Sequence, residues 1–237
     1  MTLASILALG FLLGMRHATD ADHLAAVATL ATRSRSVAHT VLQGVAWGTG
    51  HTLTLMLFGG AVLVAGAVVP ARAAQALELA VGVMLVVLGA DALYRLRRER
   101  IHFHAHRHAD GVAHFHAHSH RGEGAPHDPA RHEHQHGFPA RAMVVGMVHG
   151  MAGSAALVLL SLEALRSPAW GLVYIAIFGL GSILGMAALS AAIAVPLRLS
   201  SRRLSRAHDG LSAAIGLATV LIGCYIVYRT GAGGAPG

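Results

Sequence analysis

Lysine is absent from this sequence, and other charged residues are scarce. Asp, Glu and Arg make up 12% of the 237 residues, about half the share found in a typical soluble domain. The net charge of +7 comes from arginines that lie between long apolar runs. Because membrane proteins distribute charge in this way, the basic balance does not indicate a nucleic-acid partner. The composition instead indicates a protein surrounded by membrane lipid.

Cysteine is nearly absent as well, which excludes an internal disulfide, since Cys224 is the single thiol. The sequence also lacks the His-Glu-x-x-His motif of zinc proteases and the P-loop of nucleotide-binding proteins. Residues 3–15 resemble the apolar core of a signal peptide, but no basic residue precedes them and no small-x-small site follows. We interpret this segment as part of a mature span.

Six apolar runs are long enough to cross a bilayer as helices, which takes ~20 residues each. The sequence therefore predicts an all-α polytopic membrane protein. The first run is too long for one straight span and is interrupted by polar residues, so we expect it to be tilted, kinked or locally unwound. The predicted spans are approximately 3–31, 41–66, 74–95, 141–163, 169–196 and 209–229.

The two halves of the chain resemble each other. Gly14-Met15-Arg16-His17 matches Gly146-Met147-Val148-His149. In the same order and at nearly the same offset, residues 47–51 match 178–182, with Trp47 opposite Phe178, and residues 89–95 match 223–229. Because each half has three spans, the second half should be inverted in the membrane, a common transporter design. The predicted parts are a first three-helix repeat, a His-rich loop and a second, inverted three-helix repeat, at 1–95, 96–140 and 141–237.

The strongest chemical signal is a polar cluster inside the first span, Arg16-His17-Ala18-Thr19-Asp20-Ala21-Asp22-His23. One Asp or Arg at a helix centre costs at least ~2.5–3.5 kcal/mol, so a bound cation or a water-filled path must offset the cost. Imidazole and carboxylate ligands suit Ni, Co, Zn or Mn. On a regular helix His17 and His23 lie about 120° apart, so we expect an unwound turn whose backbone carbonyls become further ligands. The candidate ligands in this span are His17, Asp20, Asp22 and His23.

Two more histidines lie inside predicted spans. His51 is flanked by glycine near the middle of the second span, and His149 lies in the fourth span as the repeat mate of His17. Either could be a metal ligand, or it could form a hydrogen bond to a neighbouring carbonyl.

Residues 102–136 hold twelve of the eighteen histidines, and a heptad of the form His-Phe-His-Ala-His-x-His occurs twice among them. Such a tract is predicted to be disordered and to bind Ni, Co, Zn or Cu with little selectivity. Metal sensing, buffering and delivery to a cytoplasmic metallochaperone are all open roles for it.

The segment from Gly14 to His23 resembles the H-x-x-x-x-D-H motif of the nickel/cobalt transporter family (NiCoT), with His17, Asp22 and His23 at the motif positions. The Gly50-His51-Thr52 element is similar to that family's Gly-His motif. Residues 149–156 look like the urease-accessory UreH branch of the superfamily. The resemblance implies secondary transport of Ni²⁺ or Co²⁺ as substrate, with His51 in the path.

The leading hypothesis is therefore a permease and not an enzyme, with uptake for a nickel enzyme such as urease preferred to export. An intramembrane metalloenzyme and a non-transporting metal sensor are the alternatives of another class, and metal flux distinguishes them from a permease. The metal, the energy coupling and the oligomeric state are left open.

Topology gives the first testable prediction. The arginines concentrate in and beside residues 32–40, 96–140 and 197–208, and only three lie on the other side of a six-span arrangement. The positive-inside rule then makes the His-rich loop cytoplasmic and both termini periplasmic in a bacterial inner membrane. Reporter fusions at Gly237 and within 110–130 should show opposite locations. A cytoplasmic C-terminus would contradict the six-span arrangement.

Overall fold

The computed structural model describes residues 2–32, 34, 36–65, 70–98, 103–107, 113–117, 139–165, 167–203 and 205–232. Side chains are described for these residues except 103–107, 113–117, 153–165, 199–203, 205–207 and 232.

The fold is a bundle of helices. Within the described residues there are eight α-helices, one π-helical segment at Leu55–Gly59 between α3 and α4, and one β-hairpin. The α-helices are α1 Leu3–His17, α2 Ala21–Ala31, α3 Val37–Thr54, α4 Gly60–Ala65, α5 Ala71–Arg98, α6 Ala140–Leu165, α7 Pro168–Arg203 and α8 Ser205–Ala232.

Four helical segments are long and apolar enough to cross a membrane: Val37–Ala65, Ala71–Arg98, Pro168–Arg198 and His208–Gly231. They coincide with the second, third, fifth and sixth predicted spans and confirm a polytopic membrane protein. The first predicted span is two shorter apolar helices, α1 and α2, and α6 covers the fourth. The interruption expected in the first span is thus a complete break.

Backbone contacts at glycines define the directions of the helices. On α1, Gly10 meets Tyr174 and Gly14 meets Phe178, so α1 runs parallel to α7. On α3, Gly48 contacts Ile183, whereas Thr52 donates to the Gly179 carbonyl, so α3 is antiparallel to α7. These directions are the ones that spans alternating across a membrane would have.

Several of the closest contacts occur as matched pairs. A Cβ at Gly14 would overlap the Phe178 carbonyl oxygen, and a Cβ at Gly146 would overlap that of Trp47. Gly14 and Gly146 are repeat mates in the sequence, as are Trp47 and Phe178. The α5–α8 pair repeats the pattern, because a Cβ at Gly89 would lie 2.7 Å from the Gly216 oxygen and one at Gly223 2.7 Å from the Gly82 oxygen.

The core lies where α2, α3, α5, α6 and α7 meet, and its largest fully buried side chains include Trp47, Leu85 and Met186. A second, separate apolar cluster consists of Leu55, Tyr174, Ile175 and Phe178. Many leucines and valines face outward instead, for example Leu57 at 61% and Val64 at 68% exposure, as expected for helices that face lipid.

The hairpin pairs parts of the two copies of the heptad. Strand β1, Phe103–Arg107, is antiparallel to β2, Ala113–Ala117, with His104 opposite His116 and His106 opposite His114. The prediction of a disordered tract was wrong for these ten positions. In both segments His alternates with Phe or Ala, and this period of two is typical of a strand.

The tight contact at Gly146 predicts that any side chain there separates α6 from α3. We expect Gly146→Ala to lower the melting temperature in detergent by several degrees, because overpacking costs about 1–3 kcal/mol. Gly210→Ala is the control, since no described atom lies within 4 Å of a Cβ at Gly210. There, the better helix propensity of Ala should leave stability unchanged or slightly raised. Equal melting temperatures for the two variants would contradict this packing.

Candidate metal centre

Four histidines from four helices meet in the interior of the bundle. His17 ends α1, His23 lies in the first turn of α2, His51 lies near the end of α3, and His149 lies on α6. The His23 ring centroid is 4.4 Å from that of His17, 5.3 Å from that of His51 and 4.0 Å from that of His149. His23 is therefore the centre of the cluster.

The break between α1 and α2 makes this approach possible. The Thr19 and Asp20 amides donate to the Arg16 and His17 carbonyls in a tight turn. Asp20 then has extended backbone (φ −61°, ψ 148°), and α2 begins at Ala21. Because the helix stops and restarts, His17 and His23 face each other instead of lying on different faces.

His17, His23 and His51 form the first candidate ligand group. Each offers one nitrogen, and the three nitrogens lie within 4.8 Å of one another. Asp20 Oδ2 lies 2.7 Å from His17 Nδ1, and Asp22 Oδ1 lies 3.0 Å from His23 Nδ1. An ionised carboxylate only accepts hydrogen bonds, so both Nδ1 atoms carry a proton, and in the neutral imidazoles both Nε2 atoms keep a lone pair. This carboxylate–histidine arrangement is the one that orients imidazole ligands towards metals.

Asp22 also joins the second ligand group, with His23 and His149. Its Oδ2 accepts from His149 Nε2 at 2.9 Å, while its Oδ1 also accepts from the His23 backbone amide at 2.9 Å. One carboxylate thus connects α2 to α6. His149 and His23 are almost fully buried, at 3% and 1% exposure, so protein atoms surround both rings.

Five buried imidazole nitrogens of the cluster have no hydrogen-bond partner among the described residues: His17 Nε2, His23 Nε2, His51 Nδ1, His51 Nε2 and His149 Nδ1. A buried polar group without a partner costs about 1–3 kcal/mol. Such a concentration of lone pairs fits a site that binds a cation.

Close helix packing positions the remaining rings. A Cβ at Gly150 would lie 2.6 Å from the His51 carbonyl oxygen, so α6 approaches the backbone of α3 beside His149. His51 itself is fully buried and lies one turn before the π-helical segment. Single π-turns inside α-helices occur frequently at functional sites.

The structure brings together five of the six predicted site residues: His17, Asp22, His23, His51 and His149. Asp20 lies at the edge with a half-exposed side chain and contacts His17. The Gly14, Arg16 and His17 carbonyls accept hydrogen bonds within the turn, so the expectation that the broken turn frees carbonyl ligands is wrong for these three.

Trp47 also borders the centre, although its sequence position alone does not mark it as a site residue. Its ring centroid lies 6.4 Å from that of His23 and 5.7 Å from that of His149. Its indole nitrogen, like the five imidazole nitrogens, has no partner in the described part of the chain. Its position one turn before His51 on the same helix face was the available signal.

Comparisons with known proteins agree with a membrane-spanning chain. The profile of the family described as "Cytochrome C biogenesis protein transmembrane region" matches residues 5–225; it is not the nickel/cobalt transporter family that the sequence motifs resemble. Urease accessory protein UreH of Bacillus sp. (strain TB-90) is 33% identical over 229 residues, which cover 97% of this chain and 93% of that protein. No solved structure matches the chain significantly. The chain therefore belongs to the transmembrane family that this profile describes and to the family of urease accessory protein UreH.

Proposed function

We propose that this protein is a secondary transporter that takes up nickel, and also cobalt, across the bacterial inner membrane for a nickel enzyme such as urease. The observation that carries the proposal is the group His17, His23 and His51, whose three imidazole nitrogens converge within 4.8 Å in the bundle interior.

The donor set favours this choice of substrate. Imidazole nitrogen suits Ni²⁺, Co²⁺ and Zn²⁺, whereas Cu(I) prefers thiolate or thioether ligands. Cys224, the single cysteine, is exposed on α8 and is not part of the centre. One cysteine also provides no dithiol pair for thiol–disulfide exchange within the chain. The urease-accessory relative supports nickel in particular.

The matched contacts support an inverted-repeat architecture for this transporter. Gly14 with Phe178 and Gly146 with Trp47 are related by the sequence repeat, and so are the two contacts of the α5–α8 pair. In inverted-repeat transporters the substrate binds at the repeat interface, near mid-bilayer. The Asp22–His149 hydrogen bond lies at that interface, because it joins a residue of the first half to one of the second.

The helix directions are those expected for six alternating spans, and the arginine distribution supports periplasmic termini. In that arrangement the His-rich loop is cytoplasmic, where its paired heptads would receive metal that has crossed the membrane.

The histidine trio, which consists of His17, His23 and His51, gives the central prediction. His17→Ala, His23→Ala and His51→Ala should each reduce the initial rate of nickel uptake at least about 100-fold, since each removes a ligand that nothing nearby replaces. Uptake is measured as ⁶³Ni accumulation in cells at matched membrane abundance of each variant. His39→Ala is the control, because His39 lies on the same helix as His51 but in its first turn, outside the cluster.

Uptake at the wild-type rate in His17→Ala or His51→Ala would show that the trio is not the transport site. A higher cellular nickel content in cells lacking the protein than in cells with it would reverse the proposed direction.

The two carboxylates should differ in importance. Asp22→Asn keeps the shape, but its amide group cannot accept from both His23 and His149 through two oxygens. Loss of a carboxylate that orients a ligand typically costs 10–100-fold in metal affinity, so we expect uptake in Asp22→Asn to fall nearly as far as in His23→Ala. Asp20→Asn should be milder, since Asp20 orients one half-buried ring. The difference between the two variants is tested by measuring the nickel affinity of each purified protein. A larger loss of affinity in Asp20→Asn than in Asp22→Asn would refute this ranking of the carboxylates.

A further inference from the structure

Polar side chains continue beyond the histidine cluster along one face of α3. Thr40, Gln43, Trp47 and His51 are separated by three or four residues, so they share a helix face. Trp47 is fully buried and lies against the His23 and His149 rings. The face leads from the cluster towards the N-terminal end of α3.

A narrow cleft lies along this face, between α2, α3 and α7. It is lined by Val27, Leu30, Thr40, Gln43, Gly44, Trp47 and Ser190. Gln43 Oε1, Trp47 Nε1 and Ser190 Oγ have no hydrogen-bond partner among the described residues, although Trp47 and Ser190 are fully buried. Buried polar atoms normally find partners, so an apolar packing role does not account for these three.

The cluster has a different neighbour in the opposite direction. One turn beyond His51 lies Leu55, which packs with Tyr174, Ile175 and Phe178 in the second apolar cluster. The Phe178 ring centroid is 5.4 Å from that of His17. The centre is therefore closed by apolar side chains towards the C-terminal end of α3 and bordered by polar ones towards its N-terminal end.

We propose that the cleft side chains Gln43 and Ser190, separated from the histidines by the Trp47 ring, form the cytoplasmic half of the metal path. This inference rests on the proposed transport function and names the route that the ion takes from its binding site. An amide oxygen and a hydroxyl are neutral ligands that bind Ni²⁺ or Co²⁺ more weakly than imidazoles do. Weak sites next to a strong one allow a bound ion to leave, as conduction requires.

Packing explains how the route is closed in this structure. A Cβ at Gly44 would overlap Ser190 Oγ and lie 2.6 Å from the Met186 carbonyl oxygen. The backbones of α3 and α7 thus touch beside Gln43, and the route opens when these two helices separate.

The first test compares metal binding with flux. In the double variant Gln43→Leu/Ser190→Ala, nickel affinity of the purified protein should stay within about twofold of wild type, while uptake into proteoliposomes falls at least about tenfold. Thr49→Val is the matched control. Its hydroxyl lies on the exposed face of α3 and donates to the Val45 carbonyl of the same helix. Wild-type flux in the double variant, or a loss of affinity equal to the loss of flux, overturns the proposal.

The second test needs no transport. Gln43→Cys and Ser190→Cys, each in a Cys224→Ser background, are treated with a membrane-impermeant methanethiosulfonate in inside-out and right-side-out vesicles. Both should react in inside-out vesicles only. Leu42→Cys, on the outer face of α3, and Leu55→Cys, in the apolar cluster, are controls that should stay unmodified.

The two tests separate the two claims. Absence of metal flux in the wild-type protein refutes the transport function, while thiol accessibility still decides whether the cleft admits water. Absence of reaction at both Gln43→Cys and Ser190→Cys, or reaction only in right-side-out vesicles, overturns the route even where wild-type flux is normal.

Discussion

The two oxygens of the Asp22 carboxylate hold imidazoles that belong to different halves of the chain. One oxygen accepts from His23 on the same helix, and the other accepts from His149 on α6. Inside a bundle of apolar helices, a charge that is even partly buried is costly unless it is paired and hydrogen-bonded, and Asp22 is 28% exposed. The first and second halves must therefore be docked against each other before the carboxylate is satisfied. Docking of the halves and orientation of the histidine rings are consequently one event.

Glycine makes that docking close enough. Gly146 and Gly150 allow α6 to lie against the backbone of α3 at Trp47 and His51, and Gly14 allows α1 to lie against α7. A methyl group at Gly14 or Gly146 would overlap a carbonyl oxygen. In a membrane, where lipid tails are as apolar as the helices, such close backbone contact is a principal source of helix association. The rings of the cluster are thereby held on rigid elements, which metal sites require.

The polar cluster in the first span could be predicted from sequence because charged groups inside an apolar run are expensive wherever the run folds. Asp22, His17 and His23 needed no tertiary information for that reason, and the break between α1 and α2 followed from their angular separation. The Asp22–His149 hydrogen bond could not be predicted, since the register between α2 and α6 depends on packing of distant helices. The same holds for Gln43 and Ser190, each of which is an ordinary polar residue in a helix until α3 and α7 are placed side by side. The hairpin was present in the sequence as an alternation of His with Phe and Ala, a pattern that the low complexity of the tract obscured.

His23 belongs to both ligand groups, and this limits the number of ions that the centre can hold at once. Its Nδ1 is hydrogen-bonded to Asp22, so a neutral His23 has one lone pair to offer, on Nε2. An ion coordinated through that lone pair in one group deprives the other group of its central ligand. Two ions in the centre would also lie only a few ångströms apart, where their mutual repulsion is strong in a medium of low dielectric constant. The centre would thus hold a single divalent ion, and under the proposed transport function each turnover would move two positive charges unless another ion compensates them.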